Sequence, residues 1–266
     1  MNIIVCIKQV PGTADVRINP ADNTLVREDV PNMINPFDLY AIEEGLRLRD
    51  RFDGKVTVIT MGPPQAAVAL KESVALGVDD IILLSDRAFA GSDTWATAYA
   101  LSLAVKALGP FDIVLCGKQA IDGDTGQVGP GLARQLGVTQ LTYVFKILKI
   151  VPDSNVIVVD RLLEEGHEIV EARLPALLTV VKDINQPRSA QLAHIRRASK
   201  LKARILTAKD LSGVDHSRLG LAGSPTKVVH IFSPPKREGV LVMIEAASVD
   251  AAARQLADKI LAENIL

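Results

Sequence analysis

The sequence predicts an α/β fold: a doubly wound, mainly parallel sheet with added antiparallel strands and a C-terminal arm. Three observations predict it. Short apolar runs rich in β-branched residues, Asn2 to Ile7, Lys55 to Met61, Ile81 to Leu84 and Asp112 to Cys116, alternate with helical patterns. A glycine-rich loop follows the fourth run and leads into a helix start. Beyond residue 142 the rhythm changes to strand, turn and strand.

Taken in order, Asn2 to Ile7 reads as a buried central strand. The long excursion Lys8 to Pro36 holds a small hairpin, Val16 and Ile18 against Leu25 and Val26, turning at Asn19-Pro20-Ala21-Asp22-Asn23. A helix starts at Asn35-Pro36-Phe37-Asp38. Asn35 caps free N–H groups, Pro36 takes the first helical position and Asp38 suits the positive end. The helix runs to about Arg51, burying Leu39, Ile42, Leu46 and Leu48, and Asp53-Gly54 stops it. After the second strand, Ala66 to Leu76 is an alanine-rich helix ended by Gly77. Asp93 to Leu108 is the next, with Gly109-Pro110 as its stop.

Gln127 to Leu136 is the helix after the loop. Thr142 to Val151, Val156 to Leu162, Glu168 to Ala172 and Ala176 to Val181 then read as antiparallel strands and hairpins. From Lys182 the chain turns basic, with Arg188, Arg196, Arg197, Lys200, Lys202 and Arg204 facing the single acid Asp183. This exposed arm is either a solvated face or a protein-recognition loop with Leu192 as its apolar anchor. Leu211 to Gly239 wraps an outer surface, and Val249 to Leu261 closes the chain as an amphipathic helix with Ala252, Leu256, Ile260 and Leu261 on its apolar side. The expected organisation is a nucleotide-binding domain over 1–205 and a C-terminal arm and helix over 206–266.

A formal net charge of −1 removes the electrostatic case for a dedicated nucleic-acid binder. Cys6 and Cys116 both lie in apolar strand-like runs, which favours buried free thiols over a disulfide or a metal site. The four histidines, His167, His194, His216 and His230, have no metal spacing and no nucleophile motif beside them. No apolar stretch approaches 18 residues, and Met1 to Val5 runs straight into a strand without a basic leader, so a cytoplasmic protein with no transmembrane segment is expected.

The loop carries the chemistry. Gly117, Lys118, Gln119, Ala120, Ile121, Asp122, Gly123, Asp124, Thr125, Gly126, Gln127 and Val128 join a strand to a helix start, and Gly129 and Gly131 follow. Glycines let the backbone approach a ligand, and the helix offers free N–H groups to a phosphate. The spacing fits neither the P-loop nor the Gly-x-Gly-x-x-Gly fingerprint. A tight connection without a ligand remains the other reading. Asp122 and Asp124 would repel a phosphate and read as turn formers, or as partners for ribose hydroxyls. Asn35 to Asp38 and Met61 share the same sheet edge.

Ile7-Lys8-Gln9-Val10-Pro11, Asn35-Pro36-Phe37-Asp38, Gly117-Lys118-Gln119-Ala120-Ile121-Asp122, Leu174-Pro175-Ala176 and Gln186-Pro187-Arg188-Ser189-Ala190 together resemble the β subunit of electron transfer flavoprotein. The motifs span residues 1 to about 202 in the family's order. The resemblance implies a Rossmann-like nucleotide-binding domain that pairs with a larger α subunit holding an FAD. It implies a nucleotide site at Cys6, Asn35, Pro36, Phe37, Asp38, Met61 and Gly117 to Val128, with no catalytic side chain. It also implies a recognition loop that inserts Leu192 into a partner dehydrogenase.

The loop Asp122 to Pro130 looks like the electron-bifurcating and nitrogen-fixation-associated branch, in which the β site holds a second FAD. Gly123, Gly126 and Gly129 would make room for its pyrophosphate. That branch implies NADH as electron donor, ferredoxin or flavodoxin as low-potential acceptor, and an acyl-CoA dehydrogenase-type partner served through the α-subunit FAD. The alternative is a non-bifurcating β subunit that binds AMP structurally. A stand-alone nucleotide-sensing module is the third, and its glycine spacing is missed at Gly137 and Val138.

Overall fold

The computed structural model describes residues 1–12, 17–18, 25–26, 32–229, 239 and 241–263. It divides into two units, Met1–His230 and Ile231–Leu266. The first contains strands β1 (Asn2–Cys6), β2 (Gln9–Pro11), β3 (Arg17–Ile18), β4 (Leu25–Val26) and β5 (Asn32–Ile34), helix α1 (Pro36–Phe52), β6 (Lys55–Met61), α2 (Ala67–Leu76), β7 (Asp80–Leu84), α3 (Thr94–Ala107), β8 (Ile113–Gly117) and α4 (Val128–Leu136). Then come β9 (Thr139–Val151), β10 (Val156–Leu163), β11 (Gly166–Arg173), β12 (Ala176–Val180), α5 (Leu192–Lys200) and β13 (Arg204–Leu206). The second unit contains α6 (Val249–Ala262), whose N-terminus is capped by the Ser248 side chain.

Nine strands make one sheet in the order β11-β10-β9-β12-β8-β1-β6-β7-β13. Seven of them, from β9 to β13, run parallel. Alternate residues of β1 feed two cores, Ile3 and Val5 on the face under α1 and α2, Ile4 and Cys6 on the face under α3 and α4. This two-sided burial is why the parallel strands read as continuous apolar runs. The small hairpin is present as Arg17↔Val26 and Ile18↔Leu25, while Val16 and the turn 19–23 lie outside the described residues.

Ala176 to Val181 departs from the antiparallel expectation. β12 inserts between β8 and β9 and runs parallel to both, with every residue buried. A run apolar but for the buried Thr179 marks a strand covered on both faces, whereas β11, on the sheet edge, has only half-buried and exposed residues. Only β9, β10 and β11 form an antiparallel wing. Arg204–Leu206 was read as the end of the basic arm, yet it pairs in parallel with β7 as a ninth strand. Leu211 and Leu219 beyond it are buried in the core under α3. Among the described residues no helix is long and apolar enough to cross a membrane.

Candidate functional site

A cavity of about 360 Å³ opens at the carboxyl ends of β1, β6 and β8, the edge at which open α/β sheets bind ligands. Its floor carries Cys6 and Cys116, in-register neighbours on β1 and β8 and both free thiols. The adjoining Cys6 thiol, together with burial, pushes the Cys116 thiol well up, so it stays protonated.

One wall is locked by side chains that bond to the backbone. Asp38, in the first turn of α1, accepts the Lys8 N–H at 2.7 Å and the Gly117 N–H at 3.2 Å, tying the ends of β1 and β8 together. Burial pushes its carboxyl up to about 7, opposed by the Lys8 N–H. Gly117 admits this contact because it lacks a side chain: a Cβ there would lie 2.4 Å from Asp38 Oδ1 and 2.7 Å from the Phe37 carbonyl carbon. Asn35 precedes α1, but its side chain makes no cap bond. Instead its amide donates to the Gln119 carbonyl at 2.9 Å and accepts the Ile121 N–H at 3.1 Å. The cap expectation therefore fails for the side chain, which brackets the loop as a neighbouring peptide would.

The other wall is open. It is made by the first turns of two helices, α3 through Ser92, Asp93, Thr94 and Thr97, and α4 through Gln127, Val128 and Gly129. Thr94 Oγ1 donates to Gln127 Oε1 at 3.2 Å and so joins the two turns. Asp93 caps α3 by accepting the Trp95 and Ala96 N–H groups and holds Thr226 with its other oxygen. Among the described residues, nothing accepts the N–H groups of Gly126, Gln127, Val128 or Gly129. The open first turn of α4, with the Thr94 and Thr97 hydroxyls beside it, suits anionic oxygen, whereas the first N–H groups of α3 are taken by Asp93.

The expected site residues come together in part. Cys6, Asn35, Asp38, Met61, Gly117, Lys118, Gln119, Ala120, Gly123, Thr125, Gly126, Gln127 and Val128 line the cavity. Pro36, Phe37, Ile121, Asp122 and Asp124 do not. Asp122 forms an ion pair with Lys8 at 2.7 Å. Asp124 sits at φ 51°, closes a turn onto the Ala120 carbonyl, and accepts the Gln119 side-chain amide. Both acids thus shape the loop, which removes the phosphate conflict. The glycines divide as well. A Cβ on Gly123 would meet nothing within 4 Å, and Gly126 has φ +61°, whereas a Cβ on Gly129 would lie 2.4 Å from Thr179. The missing side chain of Gly129 admits Thr179 of β12, and Gly129 also lines the cavity.

Lys8, Ser92, Asp93, Thr94 and Thr97 line the cavity without having been expected there. The third strand's edge was legible, but Ser92 to Thr97 begin a helix about twenty to twenty-five residues before the loop. Only the Asp93 cap signal pointed to them. Leu192 lies far from the loop in sequence, opens α5 and is 74% exposed. Asn185 and Arg188 anchor the preceding segment to Glu44 and Glu43 of α1. Among the described residues no group of acids, histidines and cysteines could hold a metal. His230 lies outside them.

Comparison with known proteins matches the Electron transfer flavoprotein domain to residues 22–211. The chain is 54% identical to the electron transfer flavoprotein subunit beta of Thermoanaerobacterium thermosaccharolyticum over 235 residues, 88% of each chain. It is 47% identical to the subunit of that name from Megasphaera elsdenii, with all of both chains covered. It is 46% identical to Protein FixA of Bradyrhizobium diazoefficiens, over 95% of this chain and 89% of that one.

Proposed function

The chain belongs to the electron transfer flavoprotein family, in its β-subunit and FixA group, and from that premise we propose that its cavity binds FAD. Membership makes it an electron-transfer component that works with an α subunit. The observation that carries the FAD reading is the meeting of α3 and α4 at the cavity, with Thr94 and Thr97 beside the free N–H groups of α4. The free N–H groups of α4 suffice for one phosphate, and a second finds the Thr94 and Thr97 hydroxyls rather than the α3 N–H groups, which Asp93 already holds.

When bound, FAD would accept a hydride from NADH and hand electrons singly to ferredoxin or flavodoxin and to the α-subunit FAD. The chain's own residues bind and orient. Gly126 to Gly129 and the two threonines hold the phosphates, the Asn35 bracket fixes the loop, and Cys6 and Cys116 close the floor against water. No side chain is assigned a catalytic role. Leu192, exposed at the start of α5, the helix that also carries Arg196, Arg197 and Lys200, would seat an acyl-CoA dehydrogenase-type partner. The C-terminal arm and α6 would pack on the α subunit.

A structural AMP is the second reading, favoured by cavity size, since about 360 Å³ lies near the small end of ligand sites, roughly 300–1,000 Å³. Nucleotide extraction from the purified αβ complex decides between them. Two FAD and no AMP per heterodimer are expected, and one FAD with one AMP overturns the FAD reading.

A further inference from the structure

We propose that Tyr143 is a positioning residue that holds the Lys118 ammonium toward a phosphate of the nucleotide in the cavity. This rests on the nucleotide reading of the site, whether FAD or AMP.

Tyr143 occupies the left-handed region at φ 56° in the middle of strand β9. A bulky residue is disfavoured there relative to extended backbone, so something must hold it. Pairing of β9 with β12 skips a register between Leu178 and Val180, and the Thr179 hydroxyl released by that irregularity accepts the Tyr143 N–H at 3.1 Å. Arg161 clamps the preceding residue, donating to the Thr142 carbonyl at 2.8 Å and the Thr142 hydroxyl at 2.9 Å, and is itself paired with Glu168. Such over-determined strain gathers at functional sites, and strand irregularities re-aim side chains.

The side chain re-aimed here meets a cavity residue. Lys118 Nζ stands 5.3 Å from the centroid of the Tyr143 ring. Lys118 lines the cavity, and its N–H donates to the Val180 carbonyl, so it leaves the sheet beside the irregularity. The cavity's other lysine, Lys8, is neutralised by Asp122 at 2.7 Å. Lys118 makes no ion pair among the described residues, where the ring is its partner. An aromatic face orients an ammonium without cancelling its charge, as a carboxylate would. Lys118 is therefore the cation left for an anionic ligand group, and the strained tyrosine fixes where it points.

Calorimetric binding of AMP and adenosine to the nucleotide-stripped αβ complex tests this. Tyr143→Gly relieves the backbone, so its thermal midpoint should rise while its AMP affinity falls about three- to tenfold and its adenosine affinity stays unchanged. Tyr143→Phe keeps the ring and should keep AMP affinity. Lys118→Gln should show the same AMP-specific loss, and Tyr143→Gly should add nothing to it. Unaltered AMP affinity in Tyr143→Gly, or equal losses of AMP and adenosine, overturns the proposal. Wild-type protein that binds neither probe overturns the nucleotide reading with it, whereas the flavin count can fail while this holds.

Discussion

The wall of the cavity built by Asn35, Asp38 and Gly117 and the wall built by the first turns of α3 and α4 differ in where their hydrogen bonds go. In the first, both oxygens of Asp38 and both ends of the Asn35 amide are used within the chain. In the second, the loop and the α4 turn keep N–H groups that nothing among the described residues accepts. A site needs both. Rigidity comes from groups that are satisfied internally, and affinity from groups left for the ligand. Substitutions in the first wall should therefore act on folding, and substitutions in the second on binding alone.

The largest expected effect is at Gly117. Gly117→Ala would drive a Cβ into Asp38 and the Phe37 backbone, where overpacking costs about 1–3 kcal/mol and loss of the Asp38 bond leaves a buried group unsatisfied for about 1–3 kcal/mol more. Gly123→Ala, in the same loop with nothing within 4 Å, should leave stability within about 0.5 kcal/mol. Urea unfolding of the two variants compares them directly, and equal losses would dissolve the distinction between the walls.

Asp38 gives the next effect, and its sign follows from protons. The carboxyl sits near 7 in the folded chain against an ordinary 3.8, so between those values the folded state holds a proton that the unfolded state has released. Its contribution to stability is complete below about pH 4 and is lost as pH rises through 7. The full swing is up to about 4 kcal/mol at roughly 1.4 kcal/mol per pH unit. Asp38→Asn removes this titration, so wild type should lose stability relative to the variant between pH 4 and 7. Parallel unfolding profiles across that window would show that burial does not govern the group.

These two residues also mark how much of the site was legible. Asn35-Pro36-Phe37-Asp38 announced a helix start, and a strand, glycine loop and helix start announced the sheet edge, because those signals are local. The partners of Asn35 and Asp38 were not legible: a side chain that looks like a cap at residue 35 can equally bracket a loop more than eighty residues away. Gly117, Gly123 and Gly129 read alike in sequence, yet one admits a carboxylate, one faces open space and one packs on Thr179. The parallel placement of β12 was open to its apolar run. The left-handed Tyr143 was not, since only its tertiary clamps hold it there.

The smallest expected effect on folding, and the sharpest test of the open wall, is at Thr94 and Thr97. Both are half-buried at the cavity, and among the described residues the one partner of either hydroxyl is Gln127, bonded to Thr94 at 3.2 Å. Valine keeps the branched shape, so Thr94→Val with Thr97→Val should change stability by less than about 1 kcal/mol. If α3 receives the second phosphate, FAD affinity of the stripped complex should fall about tenfold or more, a loss of roughly 1.4 kcal/mol or above, while AMP affinity holds. Equal losses for FAD and AMP would place the single phosphate at α3 and leave the free N–H groups of α4 without a ligand. Retention of both affinities would return α3 to a purely structural role. The open wall would have to be redrawn around α3 in the first case and around α4 and Lys118 in the second.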